Sequence, residues 1–271
     1  MLFRSVLSPL PLILVPTTAG TGAEATRNAV ISSRSAAYKK SLRSDRMLAE
    51  VALVDPDLCR SCPREVIARS GLDALTQLIE PYLSRGANPL VDTLVAEAIP
   101  RCVRSLPLAF HNPAGAAAGV WADLSWASMI SGIALTNAGL GAVHGFAAAL
   151  GARYGIAHGT ICAALLGPVL EGNRKALTGA DPNHPGLERM AQIGRWLTQR
   201  QDLSRDQGIG QAIDRVTKLA AELRIPRLSS LGLVREDFPR LIEESKSGSS
   251  MKFNPVALNN EQLEGILDQA L

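Results

Sequence analysis

The sequence predicts a mainly α-helical protein with a short strand-bearing start. After Pro63 the apolar residues recur at helical spacing almost to the end of the chain. Breakers cut that pattern into helix-sized pieces: Asn88-Pro89, HNPAG (111–115), TGADPNHPG (178–186) and KSGSS (246–250). Before residue 60 only three β-like runs occur, LILV (12–15), NAVIS (28–32) and VALVD (51–55). A division into 1–62 and 63–271 follows. At 271 residues, 46% of them apolar, the chain is long enough to bury a substantial core.

The opening MLFRSVLSPLPLILVPTTA places an apolar stretch after Arg4, as a signal peptide does. Pro9, Pro11 and Pro16 break it, however, and a short buried strand at LILV fits them better. Pro63 suits a first helical position, and helices are expected at about 63–84, 89–109, 114–138, 143–152, 158–173, 185–200, 207–224, 235–246 and 260–270. Pro100 falls inside the second and should kink it at a cost of about 3 kcal/mol. No segment approaches the roughly 20 uninterrupted apolar residues of a membrane-spanning helix. The net charge of +3 is too small and too dispersed for a nucleic-acid or anionic-membrane surface. Four cysteines without a disulfide framework make a reducing cytoplasm the expected compartment.

Within GLDALTQLIEPY (71–82), Asp73, Gln77 and Glu80 share one helix face amid residues that want burial. Such a stripe either faces water or forms part of a metal site. His144 in GAVHGF and His158 in GIAHGT each precede a glycine in small-residue, apolar surroundings. Asp73, Gln77, His144 and His158 together offer a carboxylate, an amide oxygen and two imidazoles, which suits Fe²⁺ or Zn²⁺ with one position left open. His111 and His184, in Pro/Asn loops, read as surface residues. PTTAGTGAEAT (16–26) is either a strand-connecting turn or a phosphate cradle, with Thr17, Thr18, Gly20, Thr21 and Gly22 as its donors. The single Cys59-x-x-Cys62 pair reads as structural.

PTTAGTGAEAT, VALVDPDL, SGLDALTQLIEPY, ANPLVD, GAVHGFAAALGARYGIAHG and MKFNPVAL, in that order, resemble the iron-containing (group III) alcohol dehydrogenases, which include the maleylacetate reductases. The resemblance implies the all-helical C-terminal domain of that (dehydroquinate synthase-like) fold, preceded by a remnant of the α/β dinucleotide-binding domain. It implies an NAD(P)-dependent, metal-assisted alcohol dehydrogenase or aldehyde/ketone reductase with a small-molecule substrate. A homodimer is compatible with it. Asp73, His144 and His158 would be metal ligands, PTTAGTG would contact cofactor, and Lys39 of YKKSLRS would lie near the phosphates.

Three departures matter. Gln77 stands where the family usually has histidine, and a neutral amide is the weaker ligand. Ala148 stands where a further histidine is often found. Only fifteen residues precede PTTAGTG, so on the order of a hundred residues of the dinucleotide domain are expected to be missing, as from a truncated reading frame. The alternative to an enzyme is thus a non-catalytic helical fragment that binds metal but not dinucleotide.

Overall fold

The computed structural model describes residues 10–33 and 38–271, with the side chains of residues 32–41 outside the described set. Lys39 therefore enters only through its backbone, and the phosphate contact expected of it lies outside the described residues. Among those residues nine α-helices follow four strands. The strands are β1 (Ile13–Leu14), β2 (Asn28–Ser33), β3 (Tyr38–Arg43) and β4 (Val51–Ala52). The helices are α1 (Arg64–Leu83), α2 (Pro89–His111), α3 (Ala118–Ala138), α4 (Ala142–Tyr154), α5 (His158–Ala180), α6 (Pro185–Thr198), α7 (Arg205–Glu222), α8 (Phe238–Lys246) and α9 (Asn260–Ala270).

Local chemistry explains the helix starts. Asn88 caps α2 by accepting from Val91 N–H at 3.1 Å, with Pro89 in the first turn, where its missing donor costs nothing. Ser204 with Gln207, and Asn259 with Gln262, form capping boxes at α7 and α9. His184 is not a bystander. Its Nδ1 accepts from Gly186 N–H at 3.0 Å and so caps α6.

Helix α1 lies at the centre, packed on α2, α3, α5 and α6, while α5 packs on α1, α4, α7 and α9. Every residue of α1 from Gly71 to Leu83 is buried, as expected of a helix with neighbours all round. The stripe of Asp73, Gln77 and Glu80 therefore faces protein, not water.

Several expectations need correction. Helix α2, with Pro100 inside it as expected, ends at His111 instead of 109, and α5 runs seven residues beyond the expected 173. At Pro100 the penalty of about 3 kcal/mol is outweighed by Ile99, Cys102 and Val103, each 3% exposed or less, because burying one such side chain contributes about 1.5–3 kcal/mol. Strand β3 was not expected, since YKKSLR is polar. It forms because it pairs antiparallel with β2 from Asn28↔Arg43 to Ser33↔Tyr38. The expected buried strand LILV is two residues long and its Ile13 is 64% exposed. It pairs only with β4, in parallel, among the described residues. Among those residues no single helix is long and apolar enough to cross a membrane.

Candidate metal centre

The geometry is set by α1, α4 and α5. Asp73 projects from α1, His144 from the first turn of α4, and His158 opens α5. His144 Nε2 lies 3.5 Å and His158 Nε2 3.7 Å from Asp73 Oδ1. A fourth group that sequence reasoning missed joins them. Cys162 Sγ is 3.8 Å from His144 Nε2 and 3.7 Å from His158 Nε2. One donor atom from each of the four lies within 4.8 Å of all the others. Donors held tetrahedrally at Zn–N of about 2.0 Å and Zn–S of about 2.3 Å are about 3.3–3.6 Å apart, so the spacing fits one ion.

Burial and charge agree with that reading. Asp73 is 2% exposed, and its Oδ1 has no hydrogen-bond partner, a costly state for a carboxylate oxygen in the absence of a cation. Burial alone would raise Asp73, but His144 and His158 beside it hold it below the usual carboxylate value. Burial alone would lower His144, yet Cys162, Glu80 and Asp73 push it well above the usual imidazole value. Burial pushes the Cys162 thiol up to about 12.

Glu80, which sequence reasoning put on the right face without a role, orients the centre. His144 Nδ1–H donates to its Oε2 at 2.6 Å, and the Val143 N–H at the start of α4 donates to its Oε1 at 2.7 Å. A carboxylate on the far imidazole nitrogen fixes the tautomer that presents Nε2 to a metal. Asn254 completes the same turn. Its Oδ1 accepts from Ala142 N–H at 3.2 Å, and its Nδ2 donates to Asn173 Oδ1 at 2.7 Å and Val256 O at 2.9 Å. Gln77 is buried, and its Oε1 sits 3.4 Å from Ser131 Oγ, whose hydroxyl also lies 3.2 Å from Gly20 O. Ala148 is exposed on α4.

The glycine-rich loop packs directly on this assembly. Gly22 has φ +57°, and a Cβ there would strike the backbone of Ser128 and Gly132 on α3; a Cβ on Gly20 would lie 2.7 Å from Ser70 Cβ on α1. The glycines are thus needed for helix contact. Thr17, Thr18 and Thr21 remain exposed. Cys59 and Cys62 are free thiols, the first near Ser125 Oγ at 3.9 Å and the second donating to Thr17 O at 3.2 Å.

Residues 67–271, which contain all four clustered groups, match the model of the Fe-containing alcohol dehydrogenase family, C-terminal, and residues 3–56 match that of iron-containing alcohol dehydrogenase. The chain belongs to the iron-containing alcohol dehydrogenase family. It is 36% identical to a probable alcohol dehydrogenase, EutG, of Escherichia coli (strain K12), over 97% of this chain and 63% of that one. It is 33% identical to a 1,3-propanediol dehydrogenase of Citrobacter freundii, over 98% and 67%. Among solved structures it resembles an alcohol dehydrogenase from Oenococcus oeni, with a TM-score of 0.89 and 34% identity over 99% of this chain and 68% of that chain. A sulfoacetaldehyde reductase from Bifidobacterium kashiwanohense in complex with NAD+ resembles it with a TM-score of 0.80 and 28% identity, over 96% and 64%. The chain spans less than two thirds of the length of the EutG relative.

Proposed function

We propose that this chain carries the metal-binding half of an NAD(P)-dependent alcohol dehydrogenase, interconverting a small alcohol and its aldehyde or ketone. The observation that carries the reading is the buried Asp73 Oδ1 without a hydrogen bond, facing the Nε2 atoms of two histidines. Asp73, His144 and His158 would hold Fe²⁺ or Zn²⁺, with Gln77 one turn along α1. When bound, the ion supplies Lewis-acid polarisation of the carbonyl oxygen, and the nicotinamide supplies or accepts the hydride.

The remaining work falls to the chain itself. Asp73 contributes the negative charge, and Glu80 keeps the His144 ring turned with Nε2 inward. The His158 side chain is 36% exposed against 6% for His144 and 3% for Asp73, so substrate enters on the His158 side. Thr17, Thr18 and Thr21, exposed on a loop whose Gly20 and Gly22 are clamped against α1 and α3, would donate to the cofactor together with Lys39 of β3. The division at residue 62 is part of this reading, and the family matches that stop at 56 and resume at 67 support it.

The test is consumption of NADH and NADPH with short aldehydes and with maleylacetate, with and without added Fe²⁺ or Zn²⁺. Metal-dependent turnover that disappears in His158→Ala is the expected result. Turnover that survives both chelation and His158→Ala refutes the reading.

A further inference from the structure

We infer that Cys162 is the fourth protein ligand of the centre, binding as a thiolate beside Asp73, His144 and His158 in the place first assigned to the Gln77 amide. This deepens the proposed function and rests on its metal-binding part.

Cys162 follows His158 by four residues on α5, so the two share a helix face. It is fully buried, and its sulfur lies within 3.8 Å of both imidazole nitrogens that face the unpartnered Asp73 oxygen. Burial alone does not produce this arrangement. Cys102 is equally buried, and its sulfur meets the Gly71 carbonyl at 3.7 Å. The Gln77 oxygen, by contrast, faces Ser131 on the side of the glycine-rich loop.

The exchange changes the chemistry. On binding, the thiol proton leaves to solvent and the sulfur lone pair bonds the ion. Asp73 and Cys162 then carry two negative charges and neutralise a divalent cation, whereas Asp73 with a neutral amide would leave it at +1. A soft thiolate also tilts selection from Fe²⁺ toward Zn²⁺.

Co²⁺ is the probe, because a cobalt–thiolate bond gives a sulfur-to-metal charge-transfer band in the near ultraviolet. The metal-free 271-residue chain should develop this band up to one equivalent of Co²⁺. Cys162→Ser and Cys162→Ala should bind Co²⁺ at least about tenfold more weakly and without the band, while Gln77→Ala should keep it. Reconstitution against equal Zn²⁺ and Fe²⁺ should load Zn²⁺ into the unsubstituted chain and shift toward Fe²⁺ in the serine variant. Stoichiometric Co²⁺ binding without the band, and with both cysteine variants as tight as the parent, overturns the thiolate but leaves the metal reading standing. Failure of the parent chain to bind Co²⁺ overturns both.

Discussion

Replacing Glu80 by glutamine removes one negative charge while keeping the shape of a side chain that is 5% exposed. The carboxylate accepts two hydrogen bonds, from His144 Nδ1–H at 2.6 Å and from Val143 N–H at 2.7 Å. If the new carbonyl keeps the Val143 bond, the amide N–H₂ faces Nδ1, which must then become an acceptor. The ring proton moves to Nε2, the atom 3.5 Å from Asp73 Oδ1, and a protonated nitrogen cannot ligate. Turning the amide over restores the ring bond but sets two donors against each other at Val143. Either way one charge-assisted bond is lost, worth about 1.5–3 kcal/mol, which at about 1.4 kcal/mol per decade is a loss of about 10–150-fold in metal affinity. Glu80→Ala also strands the Val143 N–H, for about a further 1–3 kcal/mol of stability. Competition of the protein with a chromophoric chelator for Zn²⁺ gives the affinities, and urea unfolding of the metal-free forms gives the stabilities. A Glu80→Gln variant within about threefold of the parent affinity, below the smallest loss worked out above, would show that the carboxylate does not set the ring.

Gly132→Ala puts a methyl group into the Gly22 carbonyl, should cost about 1–3 kcal/mol, and should weaken NADH binding, read by nucleotide fluorescence, with Zn²⁺ affinity unchanged. Leu75→Ala, at a fully buried position of α1, should lower the urea-derived stability by about 2–5 kcal/mol. Asp237 joins the start of α8 to Arg153 and Tyr154 at the end of α4, and the Tyr154 hydroxyl and the Arg153 guanidinium hold its carboxyl below the ordinary 3.8. Its contribution is therefore complete above that value and lost as pH falls through the lower folded one. Thermal melts of the parent and Asp237→Asn should differ at pH 6 and converge in strong acid.

Much of this architecture was legible where local chemistry decides it. Asn88-Pro89 marks the start of α2 without any tertiary knowledge, and the two histidines that each precede a glycine point at α4 and α5. The Ser204…Gln207 capping box was also in plain view, although the helix was expected to begin at 207 instead of 205. Other features depend on partners far away in the chain. Spacing placed Glu80 on the face of Asp73 but not that it would meet His144, 64 residues on. Strand β3 exists only through its pairing with β2. Cys162 did have a local signal, four residues after His158, but counting cysteines by compartment hid it.

Asn254 has a consequence for the order in which the molecule assembles. It bonds the first turn of α4 across 112 positions and Asn173 of α5 across 81. Contacts of that separation close late, after the loop entropy between them has been lost. On the ribosome, Asp73, His144, His158 and Cys162 are all synthesised well before Asn254, which emerges more than ninety positions after the last of them, so until then the first turn of α4 has the bonds from Glu80 but not those of Asn254 to hold it. During that interval the thiol and imidazoles sit in a frame that still lacks one of its fastenings.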